Sequence, residues 1–187
     1  MKYKIHKEKR VYDGHFKVRE AKLTHETFDG GEITVTRQCF ERGDSVAVLL
    51  HETDTDRLLF TKQFRYPTLP HTDGWIVEIV AGSLEAGDTP EERVRTEVQE
   101  ELGYTVGSLE HLSTFFVSPG GSSERILLYF AAVTSAAKTH SGGGAANETE
   151  DIALVARSVA ETRSQLNAGS FTDAKTLIAL QWFFKDR

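Results

Sequence analysis

Glu97, Glu100 and Glu101 stand within five consecutive positions of the segment AGSLEAGDTPEERVRTEVQEELGYTV (residues 81–106), which also carries Glu85, Asp88, Glu91 and Glu92. On a helix turning ~100° per residue, the three clustered glutamates fall within roughly a third of the circumference. Carboxylates this close repel one another, and left unpaired they weaken the helix that bears them. A hard divalent cation, Mg²⁺ or Mn²⁺, removes the repulsion because it prefers oxygen ligands. A solvated acidic face is the plain alternative, since an E-x-x-E-E fragment alone is common.

The elements that must position these carboxylates are legible around them. Thr89-Pro90-Glu91-Glu92 reads as a helix start, with Thr89 as N-cap, Pro90 in the first helical position and Glu92 completing a capping box. Gly103 suits the C-terminal stop. The preceding WIVEIVAG reads as one strand, Trp75–Val80, running into Ala81-Gly82, where the Ala81 backbone carbonyl can turn toward the same ion. Val46–His51 and Arg57–Phe64 read as further strands joined by a polar turn. The first forty residues alternate about the turn Asp29-Gly30-Gly31, as an antiparallel hairpin does. LEHLSTFFVSPGGSSERILLYFAAVTS adds two strands separated by a Ser/Pro/Gly loop. SAAKTHSGGGAANETED is the most loop-like segment and is expected to be mobile; it leads into a short strand, Ile152–Ala156. Ser158-x-x-Glu161 opens a helix that Gly169 ends, and Thr172–Lys185 forms a C-terminal helix with LIALQWFF as its buried side. This order predicts an α+β fold with a mixed sheet, not a doubly wound parallel one. Two regions are expected: residues 1–42 as an N-terminal β-hairpin region serving dimerisation, and 43–187 as the main domain.

The full segment resembles the Nudix box, G-x5-E-x7-R-E-U-x-E-E-x-G-U, where U is a bulky apolar residue. Gly82, Glu97, Val98, Glu100, Glu101, Gly103 and Tyr104 occupy its positions. Asp88 replaces the first Glu, and Thr96 replaces the Arg that in the family steadies a metal-binding glutamate. Arg93, one turn before Glu97, can take over by an i,i+4 contact. The similarity covers nearly the whole chain and is to the ADP-ribose and GDP-mannose pyrophosphatase branch, through KQFRYPT, WIVEIVAG, SPGGSSE, GGGAANETEDI and FTDAKTLIAL in that order. It implies an α/β/α sandwich with additional N-terminal antiparallel strands, and Mg²⁺-dependent hydrolysis of a nucleoside diphosphate sugar. Glu97, Glu100, Glu101 and the Ala81 carbonyl would be metal ligands. Glu148, or failing that Glu150, in NETED, would supply the catalytic base, and Glu101 would be a catalytic residue as well as a metal ligand. A homodimer that exchanges N-terminal strands is implied as well.

Outside the box, Arg65 is the candidate for gripping a diphosphate, because a guanidinium matches phosphate oxygens in a bidentate way. Its alternative is a surface or dimer-interface arginine. Arg37 and Arg42 are further candidates of this kind. Glu78, on an otherwise apolar strand, needs a partner, either Arg65 or a substrate hydroxyl. Glu124, beyond the Ser118–Gly121 loop, is a candidate contact to the sugar end, against a plain hairpin turn. The seven histidines show no ligand spacing.

The net charge of −6 excludes non-specific nucleic-acid or anionic-membrane binding as an expectation, since no basic cluster supports either. The single cysteine, Cys39, excludes an intrachain disulfide and suits a reducing compartment. With no apolar leader at the N-terminus, a cytoplasmic location is expected. Two alternatives to the hydrolase remain at this level. One is a Nudix fold that senses a nucleotide sugar without cleaving it, which the Thr96 substitution favours. The other is a diphosphatase with a different substrate.

Overall fold

The computed structural model describes residues 1–145 and 150–185. The backbone divides into two compact units, Met1–Asp44 with Phe116–Arg125, and Ser45–Phe115 with Ile126–Arg187.

The first unit is a three-stranded antiparallel sheet of β1 (Tyr3–Asp13), β2 (Lys17–Glu26) and β3 (Glu32–Glu41), in that order. β2 and β3 form the expected hairpin, in unbroken register from Lys17↔Glu41 to Glu26↔Glu32. Its turn is closed by the Thr27 amide donating to the Gly31 carbonyl (2.9 Å) and the Gly31 amide donating to Asp29 (3.2 Å). The sequence pattern did not single out β1 as a third strand. All its residues are exposed, so no buried face writes a period into them. Backbone pairing holds it, with Lys9–Glu20 and Arg19–Glu8 ion pairs across to β2. The Ser/Pro/Gly loop belongs to this unit: the Phe40 amide donates to Gly121 O (2.8 Å) and the Ser123 amide to Phe40 O (3.1 Å).

The second unit is built on a seven-stranded sheet. It comprises β4 (Asp44–Glu52), β5 (Arg57–Phe64), β6 (Trp75–Glu78), β7 (Val80–Ser83), β8 (Glu110–Phe116), β9 (Arg125–Val133) and β10 (Ala153–Ser158). The order is β10-β5-β4-β9-β8, with β6 paired to β5 and β7 paired to β4. β4 shows why its sequence is apolar without alternation. Val46, Val48 and Leu50 pack with Val94, Val98 and Leu102 of α1 (Pro90–Leu102), while Ala47 and Leu49 pack with Ala179, Leu180 and Phe183 of α3 (Ala174–Phe184). Alternate residues of one strand thus serve two cores, one on each face of the sheet. Each fully buried Val, Leu or Phe among them contributes about 1.5–3 kcal/mol. The α+β sandwich expected from the sequence is the architecture found.

Three local expectations change. WIVEIV is two strands, not one: β6 ends at Glu78 opposite Thr61 of β5, β7 begins at Val80 opposite Val48 of β4, and Ile79 lies between. The Ile79 amide donates instead to Thr176 Oγ1 of α3 (2.9 Å). At the start of α1 the Thr89 hydroxyl bonds the Glu92 carboxylate, and no side chain caps the backbone there. α3 begins two residues later than expected, capped by Asp173, which accepts from the Thr176 amide at 3.0 Å. The Ser158 cap of α2 (Val159–Asn167) is as expected, accepting from the Glu161 amide at 3.2 Å. Among the described residues no helix is long and apolar enough to cross a membrane.

Candidate active site

α1 buries two kinds of side chain. Val94, Val98 and Leu102 recur at helical spacing and anchor it on the sheet. Glu97 and Glu101, one position before Val98 and Leu102, are drawn under with them and retain only 6% and 2% exposure, while Glu100 is half-buried. β7 runs so close that a Cβ at Gly82 would overlap the Glu97 carboxylate, which is the physical reason for glycine there. Arg93 donates to Glu97 Oε1 at 2.5 Å, the i,i+4 contact anticipated in place of the missing box arginine. Thr96 itself is exposed.

Glu101 has no such relief. Its Oε2 is sealed from solvent and has no hydrogen-bond partner among the described residues. Burial, with Glu97, Glu150 and Glu78 adding repulsion and Arg65 opposing it, pushes its pKa up to about 9. Glu97 is pushed up to about 7 by burial, against the pull of Arg93 and with Glu100 and Glu150 adding to the rise. A buried acid in this condition either keeps its proton or waits for a cation.

The segment expected to be mobile is tied to α1 over its described part. Helix C-termini leave carbonyls without intrahelical partners. Here the Gly143 amide donates to Glu101 O and the Gly144 amide to Glu100 O, both at 3.0 Å, and the Thr139 amide donates to Gly103 O at 2.7 Å. Gly142, Gly143 and Gly144 all lie at positive φ (71°, 118° and 96°), a run that side-chain-bearing residues would adopt only with strain. The strap delivers Glu150, whose Oε2 accepts from the Ala145 amide at 3.2 Å and whose charge raises both buried acids. Glu148 lies outside the described residues.

Beside this group lies a second, paired one. Glu78 of β6, 3% exposed, accepts from Arg65 Nε through Oε1 (2.7 Å) and from Lys175 Nζ through Oε2. Lys175 also donates to Asp173 at 3.0 Å. Burial works against both cations. Glu78 and Asp173 more than offset it for Lys175, and Glu78, Glu101 and Asp173 do so for Arg65, so both are held above their ordinary values. Arg65 is thus the partner Glu78 required. Lys175, Asp173 and Thr176 were not singled out from sequence; the available signal was a lysine and a threonine at the head of an otherwise apolar helix.

The structure therefore brings Ala81, Glu97, Glu100, Glu101, Glu150, Glu78 and Arg65 into one unit. Arg37 and Glu124 are in the other: Arg37 donates to the Thr36 carbonyl (3.2 Å) on β3, and Glu124 lies 3.6 Å from Arg42. Among the described residues, no three His, Cys, Asp or Glu side chains are spaced to hold a metal ion as they stand. The chemistry of the donor set still fits a hard dication: carboxylate oxygens only, two of the acids raised in pKa by burial with neighbouring carboxylates adding to it, and one oxygen orphaned at 2% exposure.

Comparison with known proteins bears on this site. Residues 41–177 match the NUDIX domain family. The chain is 35% identical over 165 residues to a GDP-mannose pyrophosphatase of Pectobacterium atrosepticum, covering 84% of each chain. It is 31% identical over 180 residues to an ADP-ribose pyrophosphatase of Haemophilus influenzae, covering 94% of this chain and 82% of that one. Among solved structures, one titled as an ADP compounds hydrolase superposes with a TM-score of 0.76 over 99% of this chain and 94% of that one, at 18% identity, a likeness of fold.

Proposed function

The chain belongs to the NUDIX domain family, and from that premise we propose that it hydrolyses the pyrophosphate bond of a nucleoside diphosphate sugar of the ADP-ribose or GDP-mannose type. Mg²⁺, or Mn²⁺ in its place, would assist, and the products would be a nucleoside monophosphate and a sugar phosphate. The observation that carries this reading is the buried, unpartnered Glu101 Oε2 beside Glu97 and Glu150. A merely structural acid at that depth would be paired, as Glu78 is.

Glu97, Glu100, Glu101 and the Ala81 carbonyl would hold the cation. When bound, it would polarise the phosphate oxygens and lower the pKa of the attacking water. Glu150, or Glu148, would take the proton of that water, a role that needs a carboxylate held within hydrogen-bond reach. The strap from Gly142 to Gly144 supports such placement for Glu150. Arg65, fixed through Nε to Glu78, would present its remaining guanidinium nitrogens to the diphosphate. Arg37 and Glu124 remain candidates for contact with the nucleoside or sugar. Thr96 is the feature that favours a non-cleaving sensor. Arg93 on Glu97 supports the enzyme instead, because the steadying contact is supplied from one turn earlier.

The reading extends to a cytoplasmic homodimer formed through the first forty residues, without nucleic-acid or membrane partners. Tyr3, Ile5, Val11, Tyr12 and Ile33 are apolar and exposed on those strands, which supports a partner surface. A monomer at micromolar concentration by light scattering would contradict the dimer. The main test is purified protein with Mg²⁺ and a panel of ADP-ribose, GDP-mannose, UDP-glucose and dinucleoside polyphosphates, with products resolved. Release of a nucleoside monophosphate from one of the first two is expected. Tight binding in Mg²⁺ with no product over hours would establish the sensor instead.

A further inference from the structure

We infer that Lys175, at the head of α3, is a positioning residue for Arg65, acting through the carboxylate of Glu78 that the two cations share.

Glu78 has two oxygens and two charged donors: Arg65 Nε on Oε1 and Lys175 Nζ on Oε2. Lys175 is itself pinned by Asp173 Oδ1 (3.0 Å), whose other oxygen caps α3 through the Thr176 amide and hydroxyl (3.0 and 2.6 Å). Thr176 Oγ1 in turn receives the Ile79 amide, the backbone group left without a sheet partner where the chain leaves β5 for β4. Asp173, Lys175 and Thr176 together stitch the start of α3 to two consecutive residues, Glu78 and Ile79, and so hold the strand switch in place.

The side chains differ in how much solvent they see. The Glu78 side chain is 4% exposed and that of Lys175 11%, whereas Arg65 is 41% exposed. The inner cation is fixed and sealed, and the outer one reaches solvent with only its Nε committed. Among the described residues no side chain pairs with its two terminal nitrogens. Removing Lys175 would leave Glu78 Oε2 without its donor in the interior. The carboxylate would then rotate or draw the Arg65 fork inward to satisfy both oxygens, at the expense of the outward presentation. Lys175 thus acts on substrate binding without touching substrate, and this role rests on the proposed grip of Arg65 on the diphosphate.

The test is a cycle of Lys175→Met, Arg65→Met and the double variant, with KM and kcat measured on whichever nucleoside diphosphate sugar the panel identifies. Lys175→Met should raise KM about tenfold with a smaller fall in kcat, and should change KM by no more than about twofold once Arg65 is already Met, because residues acting as one unit are not additive. Lys175→Arg, which keeps the charge, should recover most of the loss. An equal rise in KM in both backgrounds would make Lys175 a structural residue and overturn the inference while leaving the grip of Arg65 intact. An Arg65→Met variant with unchanged KM would remove that grip, and the inference with it. Should Lys175→Met not fold, Lys175→Arg carries the same cycle: a rise in KM of about threefold is expected, abolished in the Arg65→Met background, and a rise that persists there is the overturning result.

Discussion

Glu78 and Glu101 lie in the same unit at nearly the same depth, 3% and 2% exposed, and the fold treats them in opposite ways. Both oxygens of Glu78 are taken by cations of the protein, Arg65 and Lys175. Glu101 keeps an oxygen with no partner among the described residues and has Glu97 and Glu150 as neighbours. Depth alone therefore does not separate an acid the fold pairs from one it leaves unpaired. What separates them is whether the chain supplies the counter-charge. Where it does, the acid fastens two elements together; where it withholds it, the acid is unstable as a carboxylate until something external arrives.

The comparison can be broken most directly at Glu78. Glu78→Gln leaves Lys175 buried with one anion fewer, and should cost about 3 kcal/mol, the lower end of the range for breaking a buried pair because Arg65 is partly solvated. A shift in the urea midpoint at unchanged slope would report it. Glu101→Gln should behave in the reverse way. Turnover in Mg²⁺ falls at least ~10²-fold, or about 2.7 kcal/mol in the barrier, while the metal-free protein keeps or gains thermal stability. Near-normal turnover would remove Glu101 from the site.

A pH series sharpens the contrast further. Glu97 and Glu101 bind protons more tightly in the folded chain than in the unfolded one. Their contribution to stability is therefore full below the ordinary pKa of 4.5 and is lost as pH rises to about 7 for Glu97 and about 9 for Glu101. The metal-free protein should melt lower at pH 9 than at pH 6, Mg²⁺ should restore it most at the higher pH, and Glu101→Gln should flatten the fall. At pH 8 cation binding should release about one proton, read by calorimetry in buffers of different ionisation enthalpy. The smallest effects belong to the residues flanking Glu97 on α1. Arg93→Gln should weaken Mg²⁺ binding by roughly tenfold, as loss of a contact orienting a ligand does. Thr96→Arg should change activity less than ~3-fold, because position 96 is exposed and Glu97 already has its arginine.

Much of this was legible in the chain. β5 runs from Arg57 to Phe64 as read, and α1 ends at Leu102 with Gly103 at φ 76°. Short-range rules govern such features: apolar period, Pro at a helix start, Gly at its end. The Arg93–Glu97 contact was legible for the same reason, since i,i+4 spacing is a local geometry. β1 was not, because an exposed strand carries no buried face to write a period into its residues. Nor was the break at Ile79, which depends on a hydroxyl 97 residues later in the chain.

The sequence by itself determined which residues could carry negative charge to one face of a helix, and the family to which that spacing belongs, because both are matters of order along the chain. Only the tertiary structure decided which acids would be neutralised. The partners come from distant segments: Lys175 brings a counter-charge to Glu78, and the amides of the glycine strap bond the carbonyls at the end of α1. Whether a carboxylate is relieved or left waiting depends on the dielectric and the partners that packing creates around it.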